Sequence, residues 1–87
     1  MSTLHLVTHR NYCDDVFVLG VFSGMDKVEA AIEADRYKNR LMVGYSMSCI
    51  CDEGITRYAV MEDDADEAES VYSVQDVRVD EPRNLSV

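Results

Sequence analysis

Residues able to do chemistry fall into distinct groups along this chain. Glu62, Asp63, Asp64, Asp66, Glu67 and Glu69 form an acidic run. Cys13, Cys49, Cys51, His5 and His9 supply enough sulfur and imidazole donors for a zinc site, which takes about four. Gly20, Ser23 and Gly24 stand where an apolar strand pattern passes into a helix, the kind of junction at which glycine-rich loops cradle phosphate.

The phosphate reading is the weakest of these. Asp26 falls in the first turn of the helix and competes with any anion for the same N–H groups. Ser23 is instead expected to cap the helix, with Asp26 completing a capping box, and Gly20 to permit close packing. The metal reading fails on pattern. Cys49 and Cys51 share one face of an otherwise apolar strand, and there is no C-x-x-C pair and no H-x-x-x-H on a helix. They are expected to be buried core cysteines, so no metal and no cofactor is expected. Catalysis finds no constellation either. Asp14 and Asp15 beside Cys13 disfavour its thiolate, and His5 and His9, without an evident partner, are expected on the surface. No catalytic residue is assigned, and the chain is not expected to be an enzyme.

The acidic run remains. It is either a solvated loop that keeps a small protein soluble or a surface for a basic partner. Carboxylates on alternate strand residues, or three and four apart on a helix, stand about 5 to 7 Å apart, similar to phosphates along a nucleic-acid backbone. Charge is unevenly placed: residues 1–51 hold six acids and five bases, residues 52–87 eleven acids and three bases. The formal net charge of −9 argues against direct contact with nucleic acid or an anionic membrane.

The elements that must position these residues are legible from periodicity. Eighty-seven residues, 47% hydrophobic and 29% charged, suit one globular domain with a modest core. TLHLVTH alternates, with Leu4, Leu6 and Thr8 on one face and His5, Val7 and His9 on the other. RNYCDD reads as a turn, and Val16 to Phe22 as a central strand covered on both faces. A helix is predicted from about Gly24 to Lys38, with Met25, Val28, Ala31 and Ile32 inward. LMVGYSMSCIC predicts a long half-buried strand from Leu41 to Cys51, DEG a turn, and ITRYAVM its antiparallel partner. EDDADEAES reads equally as an exposed loop or as a short helix with Ala65 and Ala68 beneath the next strand. VYSVQDVRV is the last strand. The expected architecture is α+β: an antiparallel sheet of four to five strands in the order β-β-α-β-β-β, with one main helix packed across one face. Residues 1–81 would form the domain and 82–87 a C-terminal tail. No apolar run approaches the roughly 20 residues of a membrane span, the start lacks a signal-peptide layout, and the cysteines are odd in number. A complete, small cytoplasmic protein is expected.

The run Val16-Phe17-Val18-Leu19-Gly20-Val21-Phe22-Ser23, followed by Asp26-Lys27-Val28-Glu29-Ala30-Ala31-Ile32, resembles a group of short bacterial and phage proteins of unassigned function. Their pattern is a strand ending G-V-[FY]-S-S and a helix beginning E-K-A-E-x-A-I. VYSVQDVRVDEP is similar to their closing strand, Gly24 stands in place of the second serine, and residues 41–70 have no counterpart. The resemblance implies the fold and, together with the charge, a phage counter-defence inhibitor of the anti-CRISPR type. The expected partner is a larger protein with a basic surface, such as a CRISPR effector subunit, met in the host cytoplasm. The alternative is a structural or regulatory accessory domain that homodimerises or docks through its sheet face, with Tyr45, Tyr58 and Tyr72 as anchors.

Overall fold

The computed structural model describes residues 3–78. Strands β1 (Thr3–Asn11) and β2 (Val16–Phe22) precede the helix α1 (Met25–Lys38), and β3 (Tyr45–Asp52), β4 (Ile55–Glu62) and β5 (Ala68–Arg78) follow it. The five strands form one antiparallel sheet in the order β2-β1-β5-β4-β3. The first and last strands therefore meet at its centre, with Val7 opposite Val74 and His9 opposite Tyr72. Val79 and the expected tail 82–87 lie outside the described residues. No helix among the described residues is long and apolar enough to cross a membrane.

The element order is the one read from the sequence, but the α+β class is overturned. The molecule is mostly sheet, 56% strand against 19% helix. A helix is about 10 Å in diameter. Five strands spaced about 4.8 Å span about 19 Å between the outermost two, so a single helix leaves part of such a face bare. Burial follows from this. The core is Val7, Val28, Ile32, Leu41, Val60, Tyr72 and Val74, with Leu19, Phe22, Tyr45 and Tyr58 packed against it. Every residue of β3 after Tyr45 is exposed. The strand expected at the centre is also an edge: Val16, Phe17, Val18 and Val21 of β2 are exposed, and its covered face is the one carrying Leu19 and Phe22.

Local corrections have equally local causes. The N-cap is Gly24, not Ser23, and no side chain caps the helix; the Ser23 hydroxyl instead lies 3.5 Å from the Lys27 ammonium. Gly20, at φ 153°, belongs to a bulged part of the β1–β2 ladder, and a Cβ there would stand 2.8 Å from the Phe22 ring. The close approach it permits is thus by Phe22. At the other end of α1, Arg40 takes φ 60°, the Leu41 N–H donates to the Arg36 carbonyl at 2.7 Å, and the Arg40 N–H donates to that of Tyr37 at 3.2 Å. This is a Schellman closure, with Leu41 as its buried hydrophobic residue. It explains why the strand predicted from Leu41 begins only at Tyr45: residues 41–44 alternate in hydropathy, but they close the helix.

Candidate functional site

The β1–β2 turn and the β4–β5 turn emerge at the same end of the sheet, because β1 and β5 are paired antiparallel with Asn11 opposite Ser70. The first turn carries Asp14 and Asp15. Its shape comes from the Asn11 side chain, whose carbonyl accepts from the Cys13 and Asp15 N–H groups at 2.9 and 3.0 Å. The second turn carries the acidic run. Glu62 ends β4, Asp63, Asp64, Asp66 and Glu67 are exposed in the turn, and Glu69 is half-buried at the start of β5. The Ala65 N–H donates to the Glu62 carbonyl at 3.0 Å, and Asp64 takes φ 72°, a left-handed conformation that aspartate tolerates. The segment is therefore a hairpin turn, not a short helix, and Ala65 is exposed. The Asp63 N–H, donating to the Gly44 carbonyl at 2.8 Å, ties this turn to the segment entering β3.

The two turns meet through Tyr12. This exposed ring lines a surface hollow of about 500 Å³ with Asp66, Glu67 and Glu69. Cys13, and after it Glu69, pushes the Tyr12 phenol above its ordinary range. All six acids singled out by sequence thus lie at one end of the sheet, joined there by Asp14, Asp15 and Tyr12, which sequence reasoning did not include. Finding them requires the β1–β5 pairing, a contact between the chain's two extremes.

Beside this acidic end a cleft of about 490 Å³ opens between the C-terminal part of α1 and the sheet. Phe17, Leu19 and Leu41 form its apolar wall, and Lys38, Asn39 and Glu69 also line it. His9 and Asp35 lie in it as well. His9, expected at the surface, is buried: its Nδ1 is 2.9 Å from Asp35, and its ring stacks on Tyr72 with centroids 4.6 Å apart. The Tyr72 hydroxyl donates to the same Asp35 oxygen at 2.7 Å. Burial first, and then the bond to Asp35, drives the Tyr72 phenol far above its ordinary value, so it stays a donor. His9 Nε2 is buried without a partner in the protein. The three side chains come from β1, α1 and β5, and they fasten the helix to the sheet. His5 also has a partner, Asp76, 2.9 Å away and directly opposite on β5.

Two further expectations are corrected. Cys49 and Cys51 are exposed, as is Cys13; no layer among the described residues covers β3. Of the tyrosines expected as face anchors, Tyr72 is fully buried, and Tyr45 and Tyr58 pack against the core on the helix side. The bare apolar face is the opposite one, where Val18 and Val21 stand across from Thr8 and Leu6. Among the described residues, no three His, Cys, Asp or Glu side chains gather as a metal site. No protein-family model, curated protein or solved structure matches this chain.

Proposed function

We propose that this protein is a small, non-catalytic acidic binding module that covers a basic, nucleic-acid-binding surface of a larger protein. The observation supporting this is the convergence of Asp14 and Asp15 with the run Glu62, Asp63, Asp64, Asp66, Glu67 and Glu69 at one end of the sheet. Carboxylates held on two tight turns present a fixed negative surface, which steers a basic partner and discriminates by charge. Phage counter-defence of the anti-CRISPR type is the concrete form of this reading. It rests on the resemblance carried by residues 16–23 and 26–32 together with the charge.

The test is displacement of nucleic acid from purified CRISPR effector complexes by the protein. Inhibition is expected to weaken as salt rises and to disappear when Asp63, Asp64, Asp66 and Glu67 are all changed to Lys. These four side chains are exposed, and unchanged circular dichroism would verify that the variant stays folded. Inhibition by the charge-reversed protein equal to that by the original would sink the proposal, as would effectors that keep their nucleic acid throughout.

A second reading, association through the sheet, is favoured by a different observation. Val16, Val18 and Val21 are 60%, 67% and 51% exposed on a face that no element among the described residues covers. It predicts a mass in light scattering that rises with concentration and falls back to one chain in Val18→Lys.

A further inference from the structure

The edge strand β3 carries sulfur on every second residue: Met47, Cys49 and Cys51. Strand alternation puts all three on the same face of the sheet, and none is buried. Cys51 Sγ lies 3.7 Å from the Thr56 hydroxyl, and Cys49 stands across from Tyr58. Thr56 and Tyr58 are the residues directly opposite on β4. The two thiols thus share one face of a regular strand, open to solvent, with the Thr56 hydroxyl beside Cys51.

We propose that Cys49 and Cys51 form a copper(I) site, with the Met47 thioether as a third, weaker ligand. The donor set selects the metal. Zinc takes four ligands in a closed tetrahedron, and these residues offer no nitrogen or carboxylate to complete one. Copper(I) is soft, prefers thiolate and thioether, and is satisfied by two or three of them. On binding, each thiol releases its proton, so one copper(I) replaces two protons and the pair carries a single negative charge. The Tyr58 and Thr56 hydroxyls can donate to the thiolate sulfurs, as partners beyond the metal do in other metal sites. Met47 is one strand repeat from Cys49, about 7 Å along the backbone, and its flexible side chain can cover that distance. This site is on the face of the sheet that α1 packs against, out at the β3 edge beyond Tyr58 and Val60.

The test uses the full chain, reduced and without oxygen, competing for copper(I) with a chromophoric chelator. One copper per chain is expected, with thiolate-to-copper absorption in the near ultraviolet. Cys49→Ser or Cys51→Ser should each weaken binding by more than about 100-fold, and Met47→Leu by about 10-fold. Cys13→Ser should bind as the original does. All four side chains are exposed, and unchanged circular dichroism would verify that the variants stay folded. Copper left on the chelator, an equal loss in Cys13→Ser, or a copper shared between two chains would each overturn the assignment.

Discussion

The two flanks of the sheet are built on different terms. Under α1, side chains from four separate elements meet: Val7 and His9 from β1, Val28, Ile32 and Asp35 from the helix, Val60 from β4, and Tyr72 and Val74 from β5. On the β3 flank the backbone ladder to β4 is complete from Tyr45 to Asp52, yet beyond Tyr45 no side chain is covered. A chain of this length buries a core only where its single helix lies. The rest of the sheet is left as surface, and that surface carries the acids, the paired thiols and the bare valines.

This comparison can be broken most directly by truncating an isoleucine on each flank. Ile32→Ala, in the helix-covered core, should cost about 3 kcal/mol of unfolding free energy, and Ile50→Ala on β3 less than about 0.5 kcal/mol, in denaturant titrations of both variants. Equal losses would mean that β3 is covered in solution. The next largest effect sharpens what fastens the helix. Tyr72→Phe removes the donor to Asp35 and should cost about 2 kcal/mol. The sign of its pH dependence follows from burial. The folded-state pKa of Tyr72 lies above its unfolded value of 10.0, so the stabilisation is full below that pH and is lost as pH rises beyond it. Melting temperatures should therefore fall above pH 10 in the original protein, and less steeply in Tyr72→Phe. The smallest effect concerns the joint between the flanks. Arg40 holds a left-handed conformation that glycine adopts without strain, so Arg40→Gly should stabilise by about 1 kcal/mol. A loss instead would show that the Arg40 side chain contributes more than its backbone costs.

The sequence was most legible where a local pattern and its tertiary setting agree. The alternation of Leu4, His5, Leu6, Val7, Thr8 and His9 marks a strand with the right two faces, and the helix spacing of Val28 and Ile32 marks the core side of α1. Where a pattern has two physical outcomes, it misled. Leu41 to Gly44 alternate like a strand but close a helix, and Ser23 has the chemistry of a cap although Gly24 occupies that position. Alternation correctly places Cys49 and Cys51 together, but it does not say whether another layer lies above them. The acidic run was visible as charge, yet its union with Asp14, Asp15 and Tyr12 depends on β1 meeting β5. The same long-range pairing sets His9 against Tyr72, with Asp35 above them, and no feature of the chain near residue 9 announces that partner.

The uncovered strand also has a consequence for motion. Opening a segment of a folded chain costs roughly the tertiary contacts that the segment must give up. β3 has one ladder, to β4, and almost no side-chain packing beyond Tyr45. It is therefore the first part of the sheet to detach, leaving β2, β1, β5, β4 and the helix intact. What a partner or a metal meets on that side is a strand that can peel away and re-anneal while the rest of the molecule remains folded.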